Sequence, residues 1–247
     1  MYEFLIELYH VTVKNLPELR FDKRSEVHRT LVSLYSTIIE LTNAALQIRE
    51  AGGYTGMDIL LRSALEAHVD LINLANDDEY LKVMLSAYHK EWIKLASDGV
   101  NGENPFLAYF KDSPEAQAKL EEHKTELEQL KKTVRIPTNL EKFQKAGMEN
   151  EYRSIYNSLC NDSHNNLRSL TSRHFRPRDG GLDMVIFDKP TIDDLAATLD
   201  TFIATLNTSN HIMHDYFSSE PEVTEELEHY RRVRQEKGLS WVEDLVV

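Results

Sequence analysis

Between residues 24 and 51, Val27, Leu31, Leu34, Ile38, Leu41, Ala45 and Ile48 recur at steps of three and four, and Gly52-Gly53 stops the run. Apolar side chains at that spacing fall on one stripe of an α-helix, so this segment predicts a long amphipathic helix that must bury one face. The same reading predicts helices over 55–76, 79–97 and 114–132. The second is carried by Ile59, Leu60, Ala64, Ala67, Leu71 and Leu74. The third is capped by Asp77 or Asp78 and ended by Asp98-Gly99, and the fourth starts at Ser113-Pro114. Further helices are expected from about Glu149, from Thr191 to about Tyr216, and over 222–237. Nine Gly and seven Pro in 247 residues leave too few turn formers for a sandwich or barrel. The expected class is all-α, a bundle of long helices.

Residues 175–190 are the exception. Asp179-Gly180-Gly181, flanked by Arg176 and by Met184-Val185-Ile186-Phe187, predicts one small β-hairpin-like insertion. A short aromatic turn at 106–110 is expected to fold back over the bundle. The helix at 114–132 has only a thin apolar stripe and suggests a protruding arm. One helical-bundle domain over 1–217 is expected, followed by a charged helical tail over 218–247. Trp241, Val242, Leu245 and Val246 in that tail suit docking on this chain or on a neighbour.

The formal charge of −13 argues against general coating of nucleic acid or an anionic membrane. Charge is unevenly spread, however. Residues 131–178 carry ten Lys and Arg against four Asp and Glu, a local +6, and RNA is the ligand this basic region suggests. The acidic residues in Met1-Tyr2-Glu3-Phe4-Leu5-Ile6-Glu7 do not fit a secretory leader, and no apolar stretch is expected to approach the ~20 residues that span a bilayer. Cys160 stands alone, which excludes an intrachain disulfide and a cysteine-based zinc knuckle. A cytoplasmic protein without membrane attachment is the expectation.

Within the basic region lies Asn157-Ser158-Leu159-Cys160-Asn161-Asp162-Ser163-His164-Asn165-Asn166-Leu167-Arg168. On a continuous helix at about 100° per residue, Asn157, Asn161, His164, Asn165 and Arg168 share one face, while Tyr152, Ile155, Leu159, Ser163, Leu167 and Leu170 form an apolar stripe. His164 then suits general acid–base work, with Arg62 or Arg168 holding a phosphate and Asn165 orienting it. Such a set could cleave RNA without metal. The alternative is a histidine and asparagine network that fixes helix register.

Arg62, Glu66 and Asp70 are spaced at four and line one helix face beside Ile59 and Asn73. They form either a surface ion pair worth about 0.3–0.5 kcal/mol or a polar group reaching the core. Arg62 and His68, six apart, stand about 120° from each other and could flank one groove. A metal site would need His164 to recruit Glu66, His68 or Glu40 from other helices. No Gly-rich phosphate loop or nucleophile elbow is present.

At Leu60-Leu61-Arg62-Ser63-Ala64-Leu65-Glu66-Ala67-His68-Val69-Asp70-Leu71, and again from Tyr152 to Asn166, the chain resembles the bacterial helical domain-of-unknown-function family five-six-seven-seven. The resemblance covers roughly residues 25–217. That family is similar in layout to the HEPN superfamily, helical bundles of bacterial toxins and antiviral systems, many of them metal-independent RNases acting as dimers. Their signature is Arg and His separated by about four to six residues, which Arg62 and His68 fit. The resemblance implies a toxin or phage-defence protein that cleaves or binds RNA as a homodimer. The expected catalytic residues are His164, Arg62 and Glu66, with Asn161, Asn165, Arg168 and His68 binding substrate and no metal or cofactor. The competing expectation is a non-catalytic interaction or scaffold protein with a protein partner and a structural polar cluster.

Overall fold

The computed structural model describes residues 1–102, 104–164 and 166–237. Helix α1 (Tyr2–Asn15) opens the chain and lies beyond the helices predicted above. Its buried line is Leu5, Leu8, Thr12 and Asn15, so the hydrophobic signal fades after Leu8 although the packing stripe continues. A 3-10 turn (Leu16–Glu18) follows. Helix α2 (Glu26–Glu50) starts at Ser25, whose hydroxyl accepts the His28 N–H at 3.2 Å. Gly52, at φ +76°, terminates it and leads to α3 (Met57–Asn76).

Helix α4 (Tyr80–Val100) continues through Asp98-Gly99, where the sequence suggested a stop. Gly99 serves packing there: a Cβ at that position would lie 2.7 Å from Cδ2 of Phe110 in the 3-10 turn Pro105–Phe110. The aromatic turn thus packs on α4 through Phe110, within the segment 77–142, while Phe106 and Tyr109 stay 90% and 71% exposed. Helix α5 (Pro114–Leu130), capped by Ser113 onto the Ala116 N–H, packs along α4 through Ala116, Leu120 and Leu127.

Helix α6 (Asn139–Lys145) ends before Gly147 (φ +73°), and α7 (Glu149–Glu151) runs into a π-helical turn, Tyr152–Tyr156. Helices α8 (Asn157–Ser163) and α9 (Leu167–His174) follow. Strands β1 (Phe175–Arg178) and β2 (Gly181–Met184) pair antiparallel, with Phe175 opposite Met184 and Arg178 opposite Gly181. Gly180, at φ +88°, makes the tight turn between them. Helix α10 (Ile192–Tyr216) is capped by Thr191, and α11 (Pro221–Lys237) comes last. The fold is all-α with one small hairpin.

Two compact units divide the chain: Met1–Asn76 with the segment from Phe143 onward, and Asp77–Lys142. The smaller holds the α4–α5 hairpin, which includes the predicted arm at 114–132. In the larger, α1, α2, α3 and α10 pack together around Leu31, Tyr35, Ile38, Leu61, Leu71, Phe202 and Leu206. Helix α2 is long and apolar enough by length and composition to cross a membrane, a property hidden by its interrupted apolar letters. In this fold its apolar face is core.

The core also carries polar ties. The Tyr35 hydroxyl donates to Asn210 Oδ1 at 2.7 Å, and Asn210 Nδ2 donates to Thr12 Oγ1 at 2.8 Å, linking α2, α10 and α1. Helix α11 is fastened by Val223 and Leu227, by Arg234 on Asp200 at 2.8 and 3.0 Å, and by Lys14 and Asn15 on Glu226. The Trp241 segment lies outside the described residues.

Candidate functional site

The segment Asn157–Arg168 is not one helix. Helix α8 ends at Ser163, His164 has φ −102° and ψ 18°, and α9 begins at Leu167. Asn166 causes the restart: its backbone is extended, at φ −58° and ψ 140°, and its Oδ1 accepts the Arg168 N–H at 2.9 Å. Asparagine offers the backbone this local partner in competition with a continuing helix. The shared polar face predicted for Asn157, Asn161, His164 and Arg168 is therefore cut in two. Asn157 and Asn161 are exposed on α8, His164 is exposed at its C-cap, and Arg168 stands on α9. Asn165 lies outside the described residues. The predicted apolar stripe breaks as well, since Leu159 is 6% exposed and Leu167 is 79% exposed.

Arg62 and Glu66 do meet the α8 region, through residues the sequence reading did not select. Arg62 Nη2 lies 2.9 Å from Glu66 Oε1 and donates to the Tyr156 hydroxyl at 3.2 Å, while its Nε donates to Cys160 Sγ at 3.3 Å. Tyr156 in turn donates to Glu66 Oε1 at 2.5 Å. Burial first, and then the bond to the Glu66 carboxylate, push the Tyr156 phenol above its ordinary pKa. The tyrosine ring is 2% exposed and packs with Phe143 and Val69, with Tyr152 stacked on it at 5.3 Å. Tyr152, Tyr156 and Cys160 recur at i, i+4 and i+8, a signal that could have been read. Arg62 and Glu66 remain partly open, with side chains 21% and 37% exposed. Their hydrogen bonds among the described residues go to each other, Tyr156 and Cys160, and none goes to His164.

His68 is placed in the core, 3% exposed, with Nδ1 2.8 Å from Ser209 Oγ. Ser209 spends its hydroxyl proton on the Thr205 carbonyl at 2.8 Å, so Nδ1 carries the ring proton and donates. Burial lowers the His68 pKa to about 4, which keeps the ring neutral. Among the described residues no group of three or more His, Cys, Asp or Glu is arranged to hold a metal ion.

A cleft of about 1000 Å³ opens beside this network in the larger unit. Its walls are the first turns of α3 (Met57, Asp58, Leu61), the α8 region (Ile155, Ser158, Leu159), α9 (Arg168, Ser169, Ser172, Arg173), and α10 (Asp194 to Thr201). Residues Ile186 to Thr191 close one side, and Tyr54 lines another. Of the sequence-predicted residues that the structure describes, only Arg168 lines it; His164, Asn161, Arg62, Glu66 and His68 do not.

The two long helices reach the cleft with the same end. Asp58 on α3 accepts from Thr198 on α10 at 3.1 Å, and His68 meets Ser209, at sequence separations of 140 and 141. A nearly constant offset means that α3 and α10 run parallel, so both N-termini and their partial positive charge face the cleft. Arg176 on the rim is paired with Asp188 at 2.6 Å. Arg168 and Lys189 have no carboxylate partner among the described residues. Phe187, two residues before Lys189, is 86% exposed at φ +56°, a left-handed backbone that a bulky side chain rarely adopts.

Much of the basic region outside the cleft is neutralised locally. Lys131 pairs with Glu128, Arg135 with Glu141, Arg153 with Glu149 and Arg178 with Asp183. Because Glu128 and Asp183 lie outside residues 131–178, the local charge of +6 overstates the cation available to a ligand; Arg168 from that segment and Lys189 beyond it are the cations of the cleft without a carboxylate partner among the described residues.

An all-α bundle bearing a cation-rimmed cleft and a tyrosine-centred polar tie is the class that the fold and site define. Residues 28–182 match the family of unknown function DUF5677, and the chain belongs to that family. No curated protein and no solved structure matches the chain at a significant level.

Proposed function

We propose that this protein binds single-stranded or looped RNA in the cleft between α3, α9 and α10, as the RNA-binding component of a HEPN-like bacterial toxin or phage-defence system. The observation that carries the reading is that Arg168 and Lys189, two cations with no carboxylate partner among the described residues, line the same cleft as the exposed ring of Phe187. Cations that track phosphates, next to an aromatic face on which a base can stack, are the requirements for holding a single strand. The parallel N-termini of α3 and α10 add favourable potential for an anion.

Binding without cleavage is the form favoured by the Arg62 network. A guanidinium already donating to Glu66, Tyr156 and Cys160 is a positioning group that holds α3 on α8, and it has little left for a pentavalent phosphorane. That closed network also supports a second reading, a non-catalytic interaction protein with a structural polar cluster. The two separate by titration of a fluorescent single-stranded RNA into the full chain. Under the proposal, Arg168→Ala and Lys189→Ala each weaken binding several-fold; equal affinity of wild type and the double variant would sink it. RNA left intact after incubation in EDTA supports a binder. A cut abolished by His164→Ala would instead establish catalysis.

A further inference from the structure

The α4–α5 hairpin carries a cluster that the RNA reading does not use. His89, midway along α4, and His123, midway along α5, bring their Nδ1 atoms to 2.8 Å. Trp92 lies flat against His123, with centroids 5.7 Å apart and planes 7° apart, and Tyr88 meets both imidazoles edge-on at 5.3 and 5.7 Å. Neither histidine is fully buried, and Tyr88 and Trp92 are 50% and 38% exposed, so the cluster is open to solvent.

Two Nδ1 atoms this close share one proton, with one ring donating and the other accepting. Loss of that proton leaves a lone pair on each of the two facing Nδ1 atoms, and Tyr88 and Trp92 pack against the rings. Glu122 is engaged by Lys119 at 2.7 Å and stays ionised beside the pair.

We propose that His89 and His123 form a two-imidazole site for a divalent cation that favours tetragonal geometry, Cu(II) or Ni(II). Imidazole nitrogens about 2.0 Å from one ion lie about 2.8 Å apart when cis at a right angle, and about 3.3 Å apart around a tetrahedral ion. The observed spacing is that of the cis arrangement. The ion displaces the shared proton to solvent, water completes its coordination, and the rings shift no further than a hydrogen bond's replacement demands. Two protein ligands make the site exchangeable, and the adjacent Glu122 carboxylate favours a cation.

Trp92 supplies the readout, because a paramagnetic ion on His123 lies against its stacking partner. The chain has two tryptophans, Trp92 and Trp241. Copper sulfate titrated into metal-stripped, full-length protein at pH 7.5 is expected to quench tryptophan emission at one equivalent. The copper resonance spectrum should be axial with coupling to two nitrogens. His89→Asn and His123→Asn should each weaken binding at least tenfold, with helical circular dichroism unchanged. Trp92→Phe should keep calorimetric binding while losing the quench. Copper binding that survives both histidine variants within a factor of two, or a spectrum lacking two-nitrogen coupling, overturns the proposal. A histidine variant that loses its helical signal is replaced by Trp92→Phe with Zn(II) competition, where failure of equimolar Cu(II) to displace Zn(II) overturns it equally.

Discussion

Ser209 on α10 holds the Nδ1–H of His68 on α3 at 2.8 Å inside the core, one residue out of step with the Thr198–Asp58 bond that ties the same helices near their starts. Parallel packing of two long helices leaves few ways to fix register, because apolar contacts tolerate sliding by a turn. Removing one partner leaves a buried polar atom unsatisfied. Ser209→Ala is expected to destabilise the fold by about 1–3 kcal/mol, read from denaturant midpoints. RNA binding should hardly change at temperatures where the variant is folded.

Acid should unfold this protein through its buried histidines. Burial lowers the pKa of His68 and of His214 to about 4, against about 6.5 in the unfolded chain. The folded state therefore binds fewer protons between those values. Its stabilisation is complete above pH 6.5 and is lost as pH falls toward 4, by up to about 3 kcal/mol for the fully buried His68. Urea midpoints at pH 7.5, 6.0 and 5.0 should fall in that order. A flat series would exclude the linkage.

Tyr156→Phe removes the hydroxyl shared by Arg62 and Glu66 while keeping the ring in its aromatic nest. A loss of about 1–2 kcal/mol is expected. The Arg62–Glu66 pair is itself partly exposed, so a double-mutant cycle between them should return about 1 kcal/mol or less. A coupling well above that would place the pair in a drier environment than this geometry gives.

In the cleft, Arg168→Ala and Lys189→Ala should each reduce the slope of log affinity against log salt by about 1. Stability should move by less than about 0.5 kcal/mol, since neither cation has a carboxylate partner among the described residues. Filter binding at four salt concentrations checks the first, and thermal melting the second.

Gly99→Ala tests the α4 register. Its new methyl would sit 2.7 Å from the Phe110 ring, an overlap expected to cost about 1–3 kcal/mol. Gly180→Ala meets no neighbour within 4 Å, but its φ of +88° makes the hairpin turn costly by about 1 kcal/mol. Side-by-side melting of the two variants separates steric from backbone cost.

The long helices were legible because their stripes obey one period over many turns: Leu31, Ile38 and Ala45 on α2 are all buried where the spacing places them. Helix α1 escaped because half its buried line is Thr12 and Asn15, which are held by hydrogen bonds to Asn210 and Glu226 and carry no hydrophobic signal. Gly99 resembled a terminator because a glycine that admits a neighbouring ring looks in sequence like one that ends a helix. The Arg62–Glu66 ion pair was legible from its spacing of four. Tyr156 was not, since a π-helical turn and an aromatic nest decide its position. The single face of Asn157 to Arg168 failed at one side chain, Asn166, whose bond to the following backbone redirects the chain.

Helix α10 begins at Ile192, ten residues after the family match ends, yet it supplies Phe202, Ile203, Leu206, Ser209 and Asn210 to the core and a wall to the cleft. A fragment cut at residue 182 would carry the whole matched segment and still leave α3 without its parallel partner. For this chain, the segment that matches the family and the segment that builds the core are different objects, and an expression boundary drawn from the first would remove a central helix of the second.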